Sequence, residues 1–243
     1  MQQSMFGRLF QLISKLFSRK ESSAGSGTSS SESASSLASS SNPSSSNAKR
    51  SVMLSWGQKL QPLERRAVVQ TADRIGVPPS DLMDCIAFES AETFSPKIRN
   101  AAGSGATGLI QFMPSTAVSY FHSPEELARM SAAEKKAAGL AACDKLAAMS
   151  FIEQLAYVER YFQPYKGRIK DLGDLYMAIL WPRGIGKDGS YVLWSKESHP
   201  TTYAQNAGLD RNQDGTITRA EAVEHGPGRK VVKGTQLAAL VEF

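Results

Sequence analysis

Residues 78–90 read PPSDLMDCIAFES, and the helix they spell carries a carboxyl on its apolar side. Pro79, Ser80 and Asp81 form a helix start, and Leu82, Cys85 and Ile86 follow at the spacing of one helical face. Continued inward, that spacing makes Glu89 the next residue of the stripe. Burial disfavours the charged form of a carboxyl, so Glu89 is expected to hold a proton toward neutral pH, as a general acid must. The competing reading is a glutamate near a helix end that points to water or pairs with Arg99. The downstream sequence separates the two.

Working outward, the pattern from Ser51 onward is helical nearly throughout. Apolar and charged residues alternate at helical spacing from Leu63 to Ile75, where Gly76, Pro78 and Pro79 end the run. Helical segments are expected over Ser115 to Tyr120, from a SPEEL start at Ser123, over Met130 to Leu140, Ser150 to Phe162, and Lys170 to Leu180. Gly103, Gly105 and Gly108 work against a helix between Arg99 and Phe112, so a short irregular hairpin is expected there. Strand signals are scarce, and the expected fold class is mainly α. Cys85 shares a stripe with Leu82 and Ile86, while Cys143 lies in an Ala-rich run. Both read as small core residues, and neither has the nearby histidines of a zinc site.

The segment FESAETFSPKIRNAAGSGATGLIQFMPSTA, residues 88–117, resembles the catalytic core of soluble lytic transglycosylases, whose relatives include goose-type lysozymes. In that family a Glu-Ser pair ends a helix, an Asn-Pro or Ser-Pro step follows, and a G-L-[MI]-Q-[FI]-M-P stretch walls the sugar cleft. Here the pair is Glu89–Ser90, the step Ser95–Pro96 and the wall Gly108 to Pro114. A later run, DLYMAILWPRGIG, looks like the family's closing motif, commonly Y-N-x-G-x-G. Trp181 and Pro182 stand in place of its Tyr and Asn, while Gly184 and Gly186 keep the glycines, a version that resembles phage-type relatives. The match spans roughly residues 78–193.

The resemblance implies a lysozyme-like helical domain and one essential carboxyl. Most glycosidases use two carboxyl groups. A transglycosylase needs only one, because the muramoyl sugar's own C6 hydroxyl attacks its anomeric carbon. The residue implied is Glu89, acting as acid and then as base, with a 1,6-anhydromuramoyl end as product. Ser90, Asn100, Gln111 and Met113 match substrate-side positions, and Tyr176, one helical turn before the closing motif, is the candidate to support the carboxyl. Glu92 is expected at the exposed helix end, away from the chemistry. The alternatives are a hydrolytic muramidase on the same fold and a non-catalytic wall-binding module.

A second pattern stands at residues 210–221, DRNQDGTITRAE, which fits D-x-[DN]-x-[DN]-G-x₅-E without a gap. Asp210, Asn212 and Asp214 offer side-chain oxygens, Gly215 the sharp turn, Thr216 its carbonyl, Thr218 a water-mediated contact and Glu221 a carboxylate. Ile217 fills the apolar place between ligands. The expectation is a C-terminal EF-hand-like loop that holds a structural Ca²⁺.

Composition divides the chain. Residues 21–48 are mostly serine with one Leu and no aromatic residue, too little to bury against the entropy of ordering, so 21–50 reads as a disordered linker. Its ends would lie roughly 30 Å apart by the flexible-chain rule. Residues 1–20 place Phe6, Leu9, Phe10, Ile13, Leu16 and Phe17 on one face and Arg8, Lys15 and Arg19 away from it, an amphipathic basic helix too charged to span a bilayer. A membrane surface and a partner such as a virion protein both remain open as its target. Residues 1–50 hold six Lys or Arg against two Glu, whereas 51–243 hold 22 against 21 acids. A nearly neutral body argues against nucleic acid as a partner. The first twenty residues lack the uninterrupted apolar run and cleavage site of a secretory signal. The combined expectation is a phage-encoded enzyme, virion-associated or an endolysin, with peptidoglycan strands as its partner and the periplasm as its place of action.

Overall fold

The computed structural model describes residues 50–101 and 103–243, and the expected basic helix and serine-rich linker lie outside the described residues apart from Arg50. The described part is mainly helical: α1 (Pro62–Ile75), α2 (Pro79–Glu89), α3 (Pro114–Ala117), α4 (Pro124–Arg129), α5 (Ala132–Ala148), α6 (Phe151–Phe162), α7 (Leu172–Leu180), α8 (Pro200–Asn206), α9 (Arg219–His225) and α10 (Val231–Gln236). No described helix is long and apolar enough to cross a membrane.

Local chemistry sets these boundaries. Ser123, Ser131 and Ser150 each accept from the amide three residues on, and Glu126, Glu134 and Glu153 reach back, which makes capping boxes for α4, α5 and α6. Gly76 closes α1 at φ 85°, in the left-handed region. α5 runs eight residues beyond the expected stop at Leu140, because the Ala-rich continuation through Cys143 has nothing to break a helix.

Four short strands were not expected. β1 (Ser51–Leu54) pairs antiparallel with β4 (Ala239–Glu242), joining the two ends of the described chain, and β2 (Val192–Ser195) pairs antiparallel with β3 (Thr216–Thr218). The hairpin appears where it was expected. Arg99 bridges Thr107, and Thr107 in turn bridges Phe112 through paired amides and carbonyls of 3.1 and 2.7 Å.

One core contains Leu82, Ile86 and Phe88 of α2, Phe112 of the hairpin, Phe162 of α6, Tyr176 of α7 and Trp194 of β2. Cys85 and Cys143 are buried free thiols within it, as their stripes implied. Gln154 interrupts the apolar stripe of α6 and is fully buried. Its Oε1 accepts from Leu109 N at 2.7 Å, while Nε2 donates to Pro96 O at 3.1 Å and Leu146 O at 2.8 Å. A side chain at Gly108 would lie 2.3 Å from that Oε1, and Gly108 also sits at φ 81°. The glycine therefore serves two ends, the turn and the approach of Gln154. Through these bonds one glutamine fastens the segment after Glu89 and the GLIQFMP wall to the helical frame.

Candidate active site

Glu89 is the last residue of α2 and is 5% exposed, with Oε2 buried and without a hydrogen-bond partner. Burial pushes its carboxyl up to about 8. The C-terminal end of a helix carries partial negative charge, which disfavours ionisation further. Tyr176 packs its ring edge-on to Phe88 at 5.6 Å, and its hydroxyl is buried without a partner. Burial first, then the charge of Glu89, raise that phenol far above its ordinary range. Burial likewise raises Tyr161, which also senses Glu89 and stacks edge-on against Phe112 at 6.2 Å. Tyr161 of α6 and Tyr176 of α7 thus both sense one carboxyl at the end of α2.

Immediately after Glu89 the backbone turns sharply. Ala91, Glu92 and Phe94 take φ values of 50°, 61° and 52°, a left-handed conformation that costs roughly 1 kcal/mol or more for each non-glycine residue. Ser90 holds this turn together: its Oγ accepts from Phe94 N at 3.1 Å, and its carbonyl accepts from Thr93 Oγ1 at 2.7 Å. Glu92 is not at an exposed helix end. It is half-buried and ion-paired to Lys230 at 2.7 Å and to Lys233, so the turn is bolted to the C-terminal segment. Burial works against its charge, but the lysines outweigh it and hold the carboxyl below the usual range.

The other expected residues divide. Ser90 adjoins Glu89, Tyr176 is coupled to it electrostatically, and Gln111 lies in the hairpin at φ 52°, 2% exposed, with Oε1 buried and unpartnered and Nε2 donating to Gly108 O at 3.2 Å. Asn100 is buried at the start of the hairpin, where its amide donates to Ala106 O at 2.9 Å and its carbonyl accepts from Gly103 N. Met113 lines a separate cavity beyond Phe112.

Two further carboxyls near α2 and α7 were missed. Asp84 is buried, accepts from Trp56 Nε1 at 2.9 Å, and is pushed up to about 7 by burial, which outweighs that bond. Five residues before Glu89, it projects about 140° away around the helix and meets Trp56 and Gly234, so the two do not form an acid–base pair. Asp174, on α7, accepts from Gly186 N at 2.7 Å and pairs with Arg219 at 3.0 Å. The sequence signal for both was an aspartate on an otherwise apolar helical face.

The segment 210–221 follows α8, contributes β3 and runs into the first turn of α9. Asp210 Oδ2 accepts from Tyr203 Oη at 2.5 Å and Gly215 N at 3.0 Å, Asp214 Oδ1 from Thr216 N at 2.7 Å, and Glu221 Oε2 from Thr218 N at 3.0 Å. Asp210 Oδ1 and Glu221 Oε1 are buried without partners. Through α9 this segment packs against α7. Arg219 ties it to α7, and α9 ends at Gly226, where a Cβ would fall 2.8 Å from the Tyr176 ring.

No family model, curated protein or solved structure matches the chain.

The raised carboxyl has a consequence for stability. Below about pH 4.5 Glu89 is protonated folded or unfolded, and its burial carries no ionisation cost. As pH rises toward 8 the unfolded chain releases the proton and the native one keeps it, so stability falls and the loss is complete above about pH 8. The span corresponds to as much as about 5 kcal/mol, less what a buried amide would itself cost. Glu89→Gln is therefore expected to melt higher than the native sequence at pH 9 and to lose that advantage by pH 4. Calorimetry at the two pH values checks it, and a constant difference would mean that Glu89 ionises normally.

Proposed function

We propose that the chain is a peptidoglycan lytic transglycosylase built on a lysozyme-like helical domain. It cleaves the β-1,4 bond between N-acetylmuramic acid and N-acetylglucosamine and leaves a 1,6-anhydromuramoyl end. The observation that carries this reading is Glu89, a buried carboxyl without an ion pair among the described residues, held protonated near neutrality and followed in the chain by a glycine-turned wall. The motif resemblance supplies the substrate class.

In this reading Glu89 donates its proton to the glycosidic oxygen as the bond to the anomeric carbon breaks. The C6 hydroxyl of the same muramoyl sugar then forms the new bond to that carbon, and the Glu89 carboxylate takes the hydroxyl proton, restoring the acid. Holding the nucleophile in the same sugar removes the entropic cost of bringing in a second molecule. A single carboxyl suits the geometry, since Glu92 is committed to Lys230 and Lys233 and Asp84 to Trp56. The hydrophobic surroundings make protonation the resting state, and developing positive charge on the sugar favours the carboxylate as the reaction proceeds. The phage origin, with action on the wall from a virion or during lysis, belongs to the same proposal.

The loop at 210–221 is proposed to hold Ca²⁺ as an EF-hand-like clamp. Two unpartnered buried oxygens, Asp210 Oδ1 and Glu221 Oε1, suit a hard cation, as does the Gly215 turn at φ 86°. The acidic field there is strong enough to help lift the Tyr203 phenol to about 12, through its hydrogen bond to Asp210 first, then burial, then the charges of Asp210, Asp214 and Glu221. Among the described residues no three acidic, Cys or His side chains stand close enough together to form a ready cluster. Asp214 is turned to Thr216 N and Glu221 to its own capping box. Asp210, Asn212, Asp214, the Thr216 carbonyl and Glu221 would hold the ion, whose part is structural.

Two outcomes follow. Native protein is expected to solubilise cell walls with anhydromuramoyl ends detected by mass spectrometry, and Glu89→Gln to reduce turnover at least about a hundredfold; reducing muramic ends alone would assign a hydrolytic muramidase instead. Calcium at 100 times its dissociation constant is expected to stabilise the fold by about 2.7 kcal/mol, read as a rise in melting temperature that Asp210→Ala removes. Identical melting in chelator and in millimolar calcium would reject the clamp.

A further inference from the structure

A cavity of about 510 Å³ opens where the hairpin meets α3, α4 and α5, and the Glu89 chemistry makes no use of it. Its walls are largely apolar, with Met113 and Pro114 on one side and Leu127 and Leu140 on the other. Lys135 and Lys136 are its charged lining residues; no acid lines it. Neither lysine forms an ion pair within the described residues.

The cavity is set by packing in the fold. A Cβ on Gly139 would lie 2.6 Å from Pro114 O, so α5 presses directly on the start of α3. Leu140 would likewise meet a Cβ on Gly105 at 2.7 Å, which fixes α5 against the hairpin tip. The volume lies within the range of pockets that bind small ligands, roughly 300–1,000 Å³. Met113 also connects it to the candidate site. It follows Phe112, whose ring meets Tyr161, and Tyr161 senses the charge of Glu89.

We propose that this cavity is a subsite for the acidic stem peptide carried by the muramoyl sugars of the substrate strand. The inference rests on the glycan-cleavage reading for its choice of ligand. Stem peptides combine alanine methyl groups with free carboxylates. The apolar walls take the methyl groups, and the two lysines offer ammonium groups to the carboxylates. A stem held there anchors the strand and sets which muramoyl residue is cut.

The test uses the full chain carrying Glu89→Gln, so that nothing is cleaved, titrated with the tetrapeptide L-Ala–γ-D-Glu–diaminopimelate–D-Ala. Binding is expected, weakening with added salt and falling at least about tenfold when Lys135→Glu and Lys136→Glu are introduced together. In protein with native Glu89, the double variant is expected to raise KM on stem-bearing strands, leave kcat unchanged, and leave cleavage of amidase-stripped strands at the native level. No binding, binding that survives the double variant, or an equal rise in KM on stripped strands would overturn the subsite. So would decanoate binding in place of the tetrapeptide, which would assign the cavity to a lipid chain. A chain that binds the tetrapeptide yet cleaves neither strand would sink the cleavage reading alone, and one that cleaves both strands while ignoring the tetrapeptide would sink the subsite alone.

Discussion

The burial of one carboxyl without a counter-charge is the constraint around which this molecule is arranged. Glu89 closes a helix whose inward residues are apolar apart from Asp84, and among the described residues no ion pair neutralises it. Such a group either ionises at a cost of several kcal/mol or keeps its proton, and here it keeps it. The surrounding structure prevents easier escapes. Ser90 closes the turn that follows it, Lys230 and Lys233 engage Glu92, and the Tyr176 phenol on α7 senses its charge.

Three left-handed residues in four, directly after a buried acid, hold backbone strain that glycine would relieve. They aim the chain from α2 into the hairpin within a few residues. The hairpin is then fixed from outside by Gln154, whose amide satisfies three backbone groups from three different segments. On the opposite side, Arg219 and Gly226 press the 210–221 loop and its following helix onto α7. The candidate site is therefore built on packed elements and braced at both flanks, which is what a fixed acid requires.

Much of this was legible in the sequence. The helix carrying Glu89, the capped starts of α4 to α6 and the glycine-led hairpin all follow from spacing and turn chemistry that act locally. The strands were missed because their partners are remote: Ser51 pairs with Glu242, and four-residue strands carry little periodicity of their own. Gln154 and Asp84 went unread because a polar residue on an apolar stripe reveals its partner only in three dimensions. Glu92 was misplaced for a related reason, since its lysines lie about 140 residues away in sequence. Met113, implied on the substrate side by the motif, faces a cavity beyond Phe112, where the backbone has bent at Gln111. Ser90 stands beside the acid as the motif implied, with its hydroxyl engaged in shaping the turn.

The central claim is that burial keeps Glu89 protonated at neutral pH. A carbon-detected NMR titration of its side-chain carboxyl, assigned by comparison with Glu89→Gln, measures this directly. A midpoint near pH 8 is expected. A midpoint near 4.5, the value of an ordinary glutamate, would contradict it.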